Sequence, residues 1–115
     1  MIQHVTREVD PSLVGACVAF YGLLGFSQVA SPPSLASRAI WLQHGPTQLH
    51  LLLAPDATPD TGHIALVLDA YEATTAELAR AGHEVEPRRQ HWGSPRAYVR
   101  DPAGNLVELM AWAPS

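Results

Sequence analysis

The chain contains no lysine: all seven of its Lys/Arg positions are arginine. Schiff-base chemistry through a side-chain amine is therefore excluded. Cys17 is the only cysteine, which rules out an internal disulfide and a cysteine-based zinc knuckle. It stands among apolar residues at helical spacing, where a free thiol behaves as a small buried hydrophobe. Apolar runs such as Leu49 to Ala54 are interrupted or far too short to cross a bilayer. Met1 to Val5 shows no basic segment leading into a long apolar one, so no signal peptide is expected and the expected location is cytoplasmic. Basic residues are scattered under a net charge of −4, and Arg88-Arg89 is the one adjacent pair. That gives no electrostatic footprint for nucleic acid.

What is present is a globular composition, with 47% hydrophobic and 16% charged residues in a chain of 115. The length suits one domain with a real core, or two small packed halves. Six histidines in so short a chain call for an explanation.

Residues 2–9 alternate, with Val5, Arg7 and Val9 on one side and His4, Thr6 and Glu8 on the other, which predicts a strand. Asp10-Pro11 then reads as an N-cap and first helical residue. Leu13, Cys17, Phe20 or Tyr21, and Leu24 form the apolar stripe of the helix, and Gly25 ends it. Residues 26–30 are a short strand, Ser31 to Ser37 a proline-containing loop, Ala39 to Gln43 a strand, Gly45-Pro46 a turn, and Gln48 to Leu53 another strand. The order to this point is βαβββ.

A polar, proline-rich stretch from Ala54 to Gly62 follows, and the pattern then returns. His63 to Leu68 reads as a strand, and Asp69 as an N-cap with Glu72 completing a capping box. Tyr71, Thr75, Leu78 and Ala81 lie along one side of the helix, which Gly82 closes. Glu84 to Glu86 reads as a short strand and Pro87 to Pro95 as a loop, with a lid as its functional reading and a solvated loop as the plain one. Arg96 to Arg100 is a strand, Asp101-Pro102-Ala103-Gly104 a type I turn, and Leu106 to Met110 the last strand.

The two halves superpose on paper. His4 maps to His63 by a shift of 59, Gly25 to Gly82 and Trp41 to Tyr98 by 57, and His50 to Glu108 by 58. A nearly constant shift marks a duplicated βαβββ module. The fold expected is α+β: two tandem modules, about 1–54 and 63–115 with a linker over 55–62, forming cupped mixed sheets with helices on the outer face.

Glu108 sits in the middle of an otherwise apolar strand, and a buried carboxylate there needs a hydrogen-bond partner, a counter-charge or a metal. Parity places His4, His63, His50 and Glu108 on the sheet face opposite Val5, Val9, Leu49, Leu51, Ile64, Leu66, Val107 and Leu109. Histidines and a carboxylate with open positions make a site for Fe, Mn, Zn or Ni, with His4, His63 and Glu108 as its core and His50 as a further ligand. The plain alternatives are hydrogen-bonded strand histidines, and a Glu108 paired with Arg96 or Arg100. Coincidence at equivalent repeat positions favours the site, so Glu108 is read as a ligand rather than an internal salt-bridge residue.

The chain resembles the vicinal oxygen chelate superfamily of glyoxalases, bleomycin resistance proteins and extradiol dioxygenases. The resemblance is carried by His4-Val5, by Phe20-Tyr21 through Leu24-Gly25-Phe26, by Gly62-His63-Ile64-Ala65, and most specifically by Tyr98 to Leu109. It implies a metal at the open side of a cupped sheet, held by first- and last-strand residues, which here match His4, His63 and Glu108. It also implies a homodimer in which modules pair across subunits, so that the site is shared. The shared chemistry of the family is chelation of adjacent substrate oxygens by the metal, stabilising a developing oxyanion or enolate.

Parity points Trp41, Gln43, Gln48, Arg96 and Tyr98 toward the substrate, with Arg96 suited to clamping a carboxylate or phosphonate. Glu8, on the His4 face, is the candidate base, with a rim carboxylate as its plain reading. A metal-dependent lyase or isomerase acting on a small molecule is the leading expectation. A non-catalytic, antibiotic-sequestering binding protein is the alternative, and an intact ligand set argues against it. A dioxygenase or a fosfomycin-type thiol transferase are further alternatives. The latter is weakened by the missing lysine and by the lack of an arginine after Met110.

Overall fold

The computed structural model describes residues 1–115, which divide into two compact units, Met1–Pro59 and Asp60–Ser115. The first contains β1 (His4–Val9), a 3-10 turn (Pro11–Leu13), α1 (Val14–Leu23), β2 (Ser27–Val29), a second 3-10 turn (Pro33–Leu35), β3 (Ala39–His44) and β4 (Thr47–Leu53). The second contains β5 (His63–Val67), α2 (Tyr71–Arg80), β6 (Glu86–Arg88), β7 (Arg96–Arg100) and β8 (Leu106–Met110). Each unit is thus a βαβββ module built on a four-stranded mixed sheet, with strand orders β1-β4-β3-β2 and β5-β8-β7-β6. No helix is long and apolar enough to cross a membrane.

The repeat extends to the register. β1 runs parallel to β4 with His4 opposite Gln48, two residues before His50. Likewise β5 runs parallel to β8 with His63 opposite Leu106, two residues before Glu108. Trp41 faces His50 across β3 and β4, and Tyr98 faces Glu108 across β7 and β8. The two-residue Gly45-Pro46 loop sets the first of these registers. Gly45 has φ +55 while the proline ring holds φ negative, the pattern of a type II′ hairpin turn.

Both helices end in the same way. Gly25 (φ +98) and Gly82 (φ +92) supply the left-handed residue. In each case the next amide reaches back five residues, Phe26 N to Tyr21 O and His83 N to Leu78 O, both at 3.0 Å. After α1 the expected apolar contact accompanies the motif, with the Tyr21 and Phe26 rings edge-on at 6.2 Å.

Other local expectations change. Asp69 and Glu72 form no capping box: α2 begins at Tyr71 behind Ala70, which has no side-chain cap. Asp10 does cap, accepting Ser12 N, but a 3-10 turn rather than the α-helix itself, and this leaves Leu13 exposed. Cys17, Phe20, Tyr21 and Leu24 are buried as expected, and on α2 Leu78 is buried while Ala81 is exposed. The short strand lies at Glu86–Arg88 instead of residues 84–86 and takes in Pro87. It is the edge strand of its sheet, where a missing N–H does no harm.

The two faces of each sheet separate by residue type. Val9, Leu49 and Leu51 in the first module, and Val99, Val107 and Leu109 in the second, are almost fully buried. His4, Thr6 and Glu8 are exposed on the opposite face of β1, as are His63, Ala65 and Val67 on β5. Arg7 lies on the apolar side and is buried.

Candidate metal and ligand site

In the second module, Glu108 is the centre of the polar face. Its Oε1 lies 3.1 Å from His63 Nε2, and its Oε2 accepts a hydrogen bond from Arg96 Nε at 3.0 Å. Glu108 is therefore an ion-pair partner of a buried arginine, contrary to the reading that excluded an internal salt bridge. The reason is register: Arg96 and Glu108 are diagonal neighbours on adjacent strands, and the long guanidinium reaches across. Arg96 also donates to Arg89 O at 2.7 Å and to the Tyr98 hydroxyl at 3.2 Å. The hydrogen bond to Glu108 is the largest influence raising its already high pKa. The residue read as a clamp for a substrate anion thus has its Nε and one N–H of each terminal nitrogen engaged within the protein.

Two donor atoms bound near right angles to one ion, each at about 2.1 Å, lie about 3 Å apart. His63 Nε2 donates to Glu108 Oε1 across its 3.1 Å contact, and loss of that proton would leave the two atoms spaced to share a divalent ion. Arg96 holds the other carboxylate oxygen, leaving Glu108 to offer a single oxygen.

The first module has a different arrangement at the equivalent places. His50 is sandwiched between Trp41 and His4, its centroid 4.2 Å from each ring, with interplanar angles of 2° and 18°. His50 is buried, and this desolvation, with His4 beside it, holds its pKa below the usual 6.5. His4 Nδ1 is 2.8 Å from Gln3 Oε1, which assigns the proton to Nδ1 and leaves Nε2 free to ligate. An imidazole lone pair lies in the ring plane. Two stacked rings only 18° apart cannot both point at one ion at bonding distance, so His4 and His50 do not chelate together in this arrangement. Neither module by itself groups three His, Cys, Asp or Glu side chains to hold an ion.

The remaining candidates fall into two groups. Trp41 joins the stack, whereas Gln43 and Gln48 bond to each other at 3.2 Å. Glu8 is exposed on the His4 face, opposite Leu52. Tyr98 stands 5.7 Å from the His63 ring and takes the Arg88 guanidinium over its face at 4.8 Å, a contact the sequence did not suggest. A pocket of about 540 Å³ opens beside Tyr98, with Glu86, Arg88, Arg100 and Leu106 in its lining. The 89–95 segment is tied down rather than free. Trp92 Nε1 donates to Trp112 O at 2.8 Å, and the buried Ser94 hydroxyl accepts from Ala111 N and Trp112 N.

Duplicated βαβββ modules with histidine and carboxylate on one sheet face define a glyoxalase-like fold. The chain belongs to the glyoxalase/bleomycin resistance protein/dioxygenase superfamily, whose family model matches residues 12–109. No curated protein matches it in sequence. Among solved structures it is similar to a glyoxalase family protein from Bacillus anthracis, with 27% identity, a TM-score of 0.86, and 96% of this chain covering 93% of that one. Lactoylglutathione lyase from Agrobacterium tumefaciens shares 24% identity at a TM-score of 0.74, with 96% and 92% coverage. A variant of the fosfomycin resistance protein FosX from Listeria monocytogenes, complexed with Mn(II) and a dihydroxypropylphosphonic acid, shares 18% at 0.78, with 98% and 90% coverage. Bleomycin-binding proteins are also among the similar structures. Identities below 25% show the fold alone.

Proposed function

We propose that the protein is a small divalent-metal-dependent enzyme of the lyase or isomerase class. The observation that carries this is the His63–Glu108 donor pair, 3.1 Å apart on the polar face of the second module. His63 Nε2, Glu108 Oε1 and His4 Nε2 would hold Fe, Mn, Zn or Ni. When bound, such an ion supplies Lewis-acid stabilisation of an oxyanion or enolate on a substrate with adjacent oxygens. In keeping with the family resemblance, we read the working unit as a homodimer.

The chain's own residues have definable tasks. Arg96 orients Glu108 through Oε2, and Gln3 fixes the His4 tautomer. Tyr98 and the pocket beside it receive the body of the substrate. Glu8 is the available carboxylate on the His4 face for moving a proton.

The test is metal analysis of the dialysed protein after incubation with each ion. Close to one ion per chain is expected for the wild type, with loss in His63→Ala and Glu108→Gln. The loaded protein is then assayed for solvent-deuterium exchange next to the carbonyl of S-lactoylglutathione, a probe taken from the Agrobacterium relative. Unchanged metal content in both variants would overturn the ligand assignment. A second reading, a ligand trap, is favoured by the Trp41–His50–His4 stack, a surface for a flat aromatic group. A metal-free protein that binds bleomycin tightly would establish it.

A further inference from the structure

Gln43 and Gln48 stand opposite one another across the β3–β4 hairpin, and their amides form part of a directed chain. It starts at the Gly45 carbonyl, which can only accept. The 2.9 Å contact to it must therefore come from Gln43 Nε2. This turns Gln43 Oε1 toward Gln48, whose Nε2 donates to it at 3.2 Å. Gln48 Oε1 then faces His50, and an acceptor in that place admits only an N–H, which is His50 Nε2 at 2.9 Å. Reversing any one amide would set acceptor against acceptor or donor against donor. The backbone carbonyl at the origin thus fixes every member.

A neutral imidazole carries one proton, so a proton held on Nε2 leaves Nδ1 as the acceptor. The flanking Trp41 and His4 rings keep the His50 ring in its plane, so the orientation is held by stacking as well as by the hydrogen bond.

We propose that Gln43 and Gln48 are positioning residues, a tautomer lock that commits the His50 proton to Nε2 and presents Nδ1 as a bare acceptor on the polar face of the first module. A ligand group meeting His50 is then selected for a hydroxyl, an amine or a cation, and against a carbonyl or carboxylate. Only this last step rests on the polar face being the ligand-binding face.

The experiment is side-chain nitrogen NMR on the full chain in a chelating buffer, so that failure of the metal reading leaves it unaffected. The His50 signals are assigned by their loss in His50→Gln. In the wild type the His50 N–H is expected on Nε2 and in slow exchange with water. Gln43→Leu does not touch His50 but frees the Gln48 amide to turn over. It should speed exchange of that proton roughly tenfold, the equivalent of one net hydrogen bond. Gln48→Leu should abolish the slow signal. A proton on Nδ1, a wild-type N–H in fast exchange, or an unchanged rate in Gln43→Leu would each overturn the lock. The wild-type arm decides the tautomer even if a variant does not fold.

Discussion

Replacing Glu108 by Gln tests whether the carboxylate is structural as well as chemical. Glu108 is paired with Arg96 at 3.0 Å, and both side chains are less than a tenth exposed. Glutamine can still accept a hydrogen bond but removes the counter-charge and leaves the guanidinium buried and uncompensated. Breaking a buried pair from one side costs about 3–5 kcal/mol. Arg96 keeps its bonds to Arg89 O and the Tyr98 hydroxyl and lies 5.3 Å from the Tyr98 ring, so the lower end, about 3 kcal/mol, is expected. At roughly 4 °C per kcal/mol for a chain of this size, Tm falls by about 12 °C. The assay is urea and thermal unfolding with a chelator present. The double variant Glu108→Gln/Arg96→Met removes both charges and should recover about half of the loss, so that it is about 1.5 kcal/mol more stable than Glu108→Gln alone. A single variant within about 0.5 kcal/mol of wild type, or strict additivity in the double, would refute the pairing argument.

Two further outcomes follow from other parts of the chain. The folded protein holds the His50 pKa below 6.5 by burial, with His4 contributing, so the unfolded chain takes up a proton first as pH falls. The resulting stability is complete above the ordinary value and is lost as pH drops through the folded one. His50→Gln should flatten the urea midpoint in that window, and equal slopes for the two proteins would count against it. At the helix ends, Gly25→Ala and Gly82→Ala each force a side chain into positive φ, at about 1–2 kcal/mol. At Gly25 the new Cβ would also meet His44 Cδ2 at 2.8 Å, whereas at Gly82 it meets open space. The Gly25 variant should therefore lose roughly 1 kcal/mol more in urea titration, and identical costs would exclude the clash.

Local patterns in the sequence made much of the fold legible. Strand alternation, the glycines after each helix and the constant shift between His4/His63 and His50/Glu108 sufficed for two βαβββ modules and for the residues on each face. Such signals are short-range, and side-chain direction in a strand follows from parity alone. The capping box at Asp69 failed because a motif only permits a cap; the chain enters α2 two residues later.

The contacts among the polar residues were a different matter. The same parity allowed Glu108 to be a free ligand or an ion-pair partner. Only the β7–β8 register, with a buried guanidinium long enough to span the diagonal, decided that Arg96 holds one oxygen and leaves the other beside His63. Likewise the sequence put His50, Trp41, Gln43 and Gln48 on one face, but the stacking of three rings and the direction of the amide chain depend on rotamers chosen by neighbours on other strands. Sequence by itself determined which groups share a surface, since that follows from the backbone period. Tertiary structure decided which of them are already satisfied by one another, because hydrogen bonds and ion pairs depend on distances that only the assembled sheet fixes.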